Sequence, residues 1–205
     1  MTTALPSSGV TPVGRVTYAA LNEPQVDQYK PGILLWKCGL ELTSEESAPL
    51  LQLCDDITQQ AVEKDQKFAQ AVKAGTKIHL PWKQSTNTKP DGTKEIKEGY
   101  LTWNFKRNSV KGSLSGEKRQ ETAPLLWDAA GVECNSQVGS GTKGRVKFTF
   151  YAYSKMSYGI YFELQEFQIQ ELVAPGGAPA PGFDALPTGY TVQKDEGLQV
   201  ISSEF

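Results

Sequence analysis

The chain reads Lys143-Gly-Arg-Val-Lys-Phe-Thr-Phe-Tyr-Ala-Tyr153, then Ser154-Lys-Met-Ser157, then Tyr158-Gly-Ile-Tyr-Phe-Glu-Leu-Gln165 and on to Val173. From Arg145 to Tyr153 apolar and polar residues alternate with period two, the pattern of a strand with one buried face. Val146, Phe148, Phe150 and Ala152 fall on one side and form a core face. Arg145, Lys147, Thr149, Tyr151 and Tyr153 fall on the other, where cations alternate with rings. An ordinary antiparallel strand whose tyrosines pack sideways on a neighbour accounts for this. So does a surface for a polyanion with flat bases, cations meeting phosphates and rings stacking on bases at about 1–3 kcal/mol each. Ser154 to Ser157 reads as a hairpin turn. In the returning strand the apolar parity changes from even (Ile160, Phe162, Leu164) to odd (Phe167, Ile169, Val173). That change predicts a bulge near Gln165, the device by which small sheets bend hard enough to close.

Upstream, residues 1–12 are small and polar and read as a mobile arm. A short strand is expected over Val13–Ala20, a turn at Asn22-Glu-Pro-Gln25, and a strand from Gly32 to Leu42 with Lys37 and Glu41 on its polar side. A helix follows. Thr43 with Glu46 has capping-box spacing, and Ser47 ahead of Pro49 is a rival cap. Leu50, Leu53, Cys54, Ile57 and Ala61 give the helix one apolar face, Phe68 and Val72 extend it, and Gly75 is its expected stop. Lys77–Lys83 alternates again, with Ile78, Leu80 and Trp82 opposite Lys77, His79 and Lys83. Lys89-Pro-Asp-Gly92 is the tip of a long hairpin whose returning strand is Tyr100–Arg107. Asn108–Thr122 reads as a flexible basic loop, and Pro124–Gly131 as a short element anchored by Trp127. With four prolines and four glycines, Pro175–Gly189 is a linker. One helix set among short strands fits a mainly β chain folded as a five-stranded Greek-key barrel of the OB type, with one inserted helix, long loops and a flexible C-terminal tail. A lipocalin-like barrel or a sandwich fits the same pattern.

A length of 205 residues bounds this to one domain with appendages. The net charge of −2 argues against nucleic acid until its distribution is read. From Pro175 onward the chain carries −3, whereas Thr76–Arg119 holds ten Lys or Arg against four acids. Three scattered cysteines make no disulfide framework, and no long apolar run or basic apolar leader is present, so a cytosolic protein is expected. His79 is the only histidine. It has no nearby acid to orient it and reads as a surface or phosphate-facing residue rather than a base. Gly139-Ser-Gly-Thr-Lys-Gly144 lacks phosphate-loop spacing and leads into a strand, so it is read as a tight turn. No catalytic set, metal site or cofactor signature is found, and the chain is expected not to be an enzyme.

A Leu126-Trp-Asp-x-x-Gly131 element, then Val138-Gly-Ser-Gly-Thr-Lys-Gly-Arg-Val-Lys-Phe148, a tyrosine-rich hairpin and a strand ending Leu172-Val173 resemble phage single-stranded DNA-binding proteins of the bacteriophage T7 type. The likeness is best over residues 124–173 and weaker over 13–107. The resemblance implies an OB barrel with a helix between the third and fourth strands. It implies coating of single strands during phage DNA replication, recombination and repair, in the cytoplasm of an infected bacterium. It also implies an acidic tail ending in Phe, here Asp195, Glu196, Glu204 and Phe205, that reaches a replicative DNA polymerase, helicase or recombination proteins; a homodimer is one expected assembly. This tail departs from the pattern in carrying Lys194 and an apolar Leu198-Gln-Val-Ile201 run.

The expected domains are therefore an arm (1–12), a DNA-binding domain (13–174), and a linker with tail (175–205). The expected DNA-binding residues are Lys77, Lys83, Tyr100, Trp103, Lys106, Arg107, Arg145, Lys147, Tyr151, Tyr153 and Tyr158. Trp103 shares a face with Leu101 and Phe105, which also suits a core residue. About five neutralised phosphates, at roughly 0.7 each, give a slope near −3.5 for log K against log salt. The competing expectation is a β-rich interaction or virion-associated protein that binds no nucleic acid.

Overall fold

In a computed structural model, described here over residues 5–27, 32–112, 118–155 and 157–176, strands dominate. In chain order they are β1 (Gly9–Val10), β2 (Gly14–Val26), β3 (Leu34–Thr43), β4 (Trp82–Thr88), β5 (Lys94–Asn108), β6 (Val110–Gly112), β7 (Lys118–Gln120), β8 (Leu125–Trp127), β9 (Lys143–Tyr153) and β10 (Gly159–Glu171). Two helices, α1 (Ser44–Lys64) and α2 (Gln66–Lys73), lie between β3 and β4. That is after the third strand by count. Because β1 is only two residues long, it is after the second long strand. Antiparallel pairing joins β9 to β2, β2 to β3, β3 to β5 and β10 to β9, while β10 meets β5 and β8 in parallel.

The β9–β10 hairpin forms as its alternation requires. Tyr153 lies opposite Gly159 and Phe150 opposite Phe162, and the register shifts between Leu164 and Glu166, where the parity change places the bulge. The bulge returns Phe167 and Ile169 to the inner face with Val146, Phe148 and Leu164. Phe162 is the hub of this core. Its ring stacks on Phe148 at 4.5 Å between centroids, on Trp103 at 5.8 Å and on Phe105 at 5.9 Å.

Both rival helix caps are used, for different purposes. Thr43 caps α1: its hydroxyl accepts from the Glu46 amide, and its own amide donates to the Glu46 carboxylate. Ser47, one turn in, is buried, and its hydroxyl accepts from the Trp103 indole at 3.0 Å. This bond ties α1 to the aromatic core. The expected single helix breaks at Asp65, whose carboxylate caps α2 through the Lys67 and Phe68 amides and accepts from Ser154 at 2.6 Å, beside the β9–β10 turn. Those bonds hold its carboxyl below its usual range, the one from Ser154 foremost.

Several boundaries differ from the sequence reading. Gly9 and Val10 pair with β9, and Thr11 is buried and bonded to Val146, so the expected arm ends before residue 9. Asn22–Gln25 is an irregularity inside β2, not a turn, because the pairing with β3 resumes at Gln25. Of the alternating stretch expected over 77–83, Trp82 and Lys83 open β4, only His79 of the rest makes a bridge, and Leu80 is exposed. The expected loop at 108–122 contains the β6–β7 pair. The tail residues Asp195, Glu196, Glu204 and Phe205 lie outside the described residues.

Trp103 is fully buried, stacked on Phe162 and bonded to Ser47, so Trp103→Ala is expected to lower the unfolding free energy by about 3–5 kcal/mol, read by urea denaturation.

Candidate functional site

A groove of about 750 Å³ runs across the outer face of the sheet. Its floor follows from strand parity. In β3 and β5 the residues opposite the core are Lys37, Gly39, Asn104 and Lys106, and the register sets Lys37 against Lys106 and Gly39 against Asn104. Tyr18 of β2 lies over Gly39. A Cβ at position 39 would stand 2.4 Å from the Tyr18 ring, so a side chain there would displace it. The Tyr18 hydroxyl then donates to Asn104 Oδ1 at 2.6 Å. Gly159 plays the same part for Tyr153: a Cβ there would stand 2.5 Å from the Tyr153 hydroxyl and 2.6 Å from the His79 carbonyl.

The segment before β4 closes one side of the groove. His79 N donates to the Tyr158 carbonyl, Ile160 N to the His79 carbonyl, and Asn104 N to the Pro81 carbonyl. These bonds stitch residues 79–81 between β10 and β5 and carry His79 and Lys83 to the groove wall. Tyr161 enters from β10, stacked at 5.2 Å on Tyr151, and Asp27 stands at the margin. Burial, and next the neighbouring Cys38, raises the Tyr18 hydroxyl well above the ordinary phenol range. Burial does the same to Tyr161, assisted by Tyr151, Glu163 and Asp27. Both stay neutral in neutral water.

The groove gathers lysines that meet no carboxylate; Arg15, Lys77, Lys94 and Arg145 elsewhere on the described surface meet none either. Among the described residues Lys37, Lys83 and Lys106 make no ion pair, whereas Lys89, Lys97, Lys111, Lys143, Lys147, Arg107 and Arg119 all meet carboxylates. Two like charges directly opposite on neighbouring strands destabilise a sheet. The fold nonetheless sets Lys37 against Lys106.

The structure gathers only part of the expected site. Lys83, Lys106 and Tyr153 line the groove, and Tyr151 flanks it through Tyr161. Trp103 belongs to the core, which corrects its expected role: no base reaches a ring with no exposed surface. Arg107 is likewise corrected. It continues the inner parity of β5 and is held by Glu121 at 3.2 Å, beside a second pair between Lys111 and Glu163. Lys77 is exposed just ahead of His79. Tyr100 lies under the Lys97 ammonium, which also pairs with the buried Glu41, and Tyr158 packs edge-on against Phe68. Arg145 and Lys147 line a separate cleft with Trp127 and Glu166.

Tyr18, Lys37, Asn104 and Tyr161 were not singled out from the sequence. Lys37 and Asn104 carried a signal, since both sit on the polar side of alternating strands. The two tyrosines did not: β2 has weak alternation, and what makes each ring part of a groove is a glycine or tyrosine on another strand.

No protein-family model matches the sequence, and no curated protein matches it. Solved structures share its fold. Gp2.5, a single-stranded DNA-binding protein encoded by bacteriophage T7, superposes with a TM-score of 0.62 and 14% identity, over 88% of this chain and 99% of that one. The single-stranded DNA-binding protein from bacteriophage Enc34 in complex with single-stranded DNA gives a TM-score of 0.55 at 14% identity, over 82% and 89% of the two chains. A further structure of the Enc34 protein gives 0.53 at 13%, over 87% of each. The structural neighbours are thus phage single-stranded DNA-binding proteins, as the pattern over residues 124–173 leads one to expect.

The neutral tyrosines set a pH dependence. Their folded pKa lies above the unfolded value near ~10, so their contribution to stability is whole below that pH and is lost as pH rises beyond it. A near-ultraviolet titration is expected to show Tyr18 and Tyr161 ionising only as the chain unfolds, apart from the exposed phenols. Ionisation of all eight tyrosines in one transition near pH ~10 would contradict the packing.

Proposed function

We propose that this chain binds single-stranded DNA in the groove between β2, β3, β5 and β10, with little sequence preference. One observation carries the reading: three lysines without acidic partners, two of them facing each other across the β3–β5 ladder, surround tyrosine rings seated on glycines. A like-charge pair costs stability, and an occupant with regularly spaced negative charge offsets that cost. Rings without an array of base-edge donors and acceptors read only the flat faces that every base has. The likeness of the fold to structures of the T7 and Enc34 proteins, one of them in complex with single-stranded DNA, supports the same reading.

On this reading β2, β3, β5, β10 and β9 close as a five-stranded Greek-key barrel of the OB type, since each pairs with the next and β9 pairs back to β2. Residues 9–174 are the binding domain, and the segment from 175 is a linker and tail that contacts replication partners. The chain acts by covering and protecting strands during phage replication and recombination in the host cytoplasm. It performs no catalysis and needs no cofactor.

With Arg107 and Lys147 engaged by carboxylates, the three lysines that line the groove set the salt dependence. The expected slope of log K against log salt on oligo(dT) is about −2, shallower than the sequence suggested. Lys106→Gln is expected to flatten that slope by about 0.7 and weaken binding, and at the same time to raise stability by about 0.2–1 kcal/mol through relief of the Lys37 contact. Anisotropy titrations and denaturant melts read the two effects. Salt-independent binding, or equal affinity for a duplex of the same length, would refute the reading.

A further inference from the structure

The second cleft, of about 460 Å³, is built from β8, β9 and β10. The Trp127 indole N–H donates to Glu166 Oε2 at 2.8 Å, and Lys147 Nζ donates to Glu166 Oε1 at 2.6 Å. One carboxylate therefore holds the ring by its edge and leaves the ring as a wall of the cleft. Arg145 donates through Nε to Gln168 at 2.7 Å, and among the described residues nothing takes its terminal nitrogens. Those remaining donors form the fork that fits a phosphate. Two cations against one carboxylate leave the cleft positive.

The outer face of β9 joins this cleft to the groove. Arg145, Lys147, Thr149, Tyr151 and Tyr153 share the outer face of β9, so the cleft lies at one end of that row and the groove at the other. At about 3.3 Å per residue the row spans ~26 Å. Three quarters of the way toward the groove stands the Tyr151–Tyr161 stack, with Tyr151 49% exposed. The acid that faces Thr149, Glu163, is neutralised by Lys111, so among the described residues of the β9–β10 ladder no unpaired carboxylate lies between the two ends.

We propose that the cleft is a second subsite for the same strand. The strand leaves the groove over the Tyr151–Tyr161 stack, sets a base against Trp127 and places a phosphate on Arg145. The row is long enough for about eight stacked nucleotides, at roughly 3.4 Å each. The inference rests on the single-strand reading of the groove and adds its path and footprint. It makes affinity depend on strand length in a step: a strand confined to the groove gains nothing from Trp127, whereas a longer one does.

The test compares labelled oligo(dT) of about five and about fifteen nucleotides, within the range of single-fold site sizes, on the full chain. Trp127→Ala is expected to weaken the long oligomer about tenfold, the loss of one stacked base, and to leave the short one unchanged. Trp127→Phe, which keeps a ring and loses the Glu166 bond, retains most of the affinity. Arg145→Gln, a surface change that serves if Trp127→Ala fails to fold, is expected to flatten the salt slope by about 0.7 for the long oligomer only. Unchanged binding of the long oligomer by these variants, or equal losses at both lengths, overturns the second subsite while the groove stands. Failure of the unaltered chain to bind either oligomer overturns the groove reading, and this inference with it.

Discussion

The structure depends on the stacking of Phe162 against Phe148, Trp103 and Phe105. These four rings come from β10, β9 and β5, and β10 meets β5 through little backbone pairing, one residue pair at Glu163 and Lys106. Ring contacts across that gap supply what the ladder does not. Aromatic pairs of this geometry contribute about 0.5–1.5 kcal/mol beyond their buried area. The helices are recruited to the same cluster, because the buried Trp103 indole needs an acceptor and Ser47 provides it. Asp65 performs the matching service at the other end, breaking the helix so that its carboxylate meets Ser154.

Once the core is fixed, the outer face is fixed with it, since side chains alternate across a strand. Every residue that packs inward on β3 and β5 forces its neighbour outward. Lys37 and Lys106 are thereby set face to face, and Asn104 is set where the Tyr18 hydroxyl finds it. Glycines then decide where rings lie. Gly39 and Gly159 are the two places where the outer face is low enough for Tyr18 and Tyr153 to fold flat across it. A groove with a ring floor and charged walls results, its three lysines free of the carboxylates that hold Arg107, Lys111 and Lys147.

How much of this was legible follows element by element. The β9–β10 hairpin, its bulge and its core residues were legible, because alternation and its change of parity are local. The Thr43–Glu46 cap was legible too, since a capping box is a spacing. The DNA-binding candidates were legible only as to face. Lys83, Lys106, Tyr151 and Tyr153 are outward, as read, but Arg107 and Lys147 looked equally free, and their partners Glu121 and Glu166 lie 14 and 19 residues away. Whether a lysine is spent on a carboxylate is a property of two elements, and no single stretch records it.

The sequence by itself determined that this chain is mainly strands around an aromatic core, with one polar strand face that mixes rings and cations. Periodicity and capping are written in neighbouring residues, and the chain has no choice about them. The tertiary structure alone decided which rings lie flat, which cations stay unpaired, and that Trp103 belongs inside. Those outcomes depend on a glycine, a carboxylate or a serine brought in from a distant strand or helix, and only packing sets such distances.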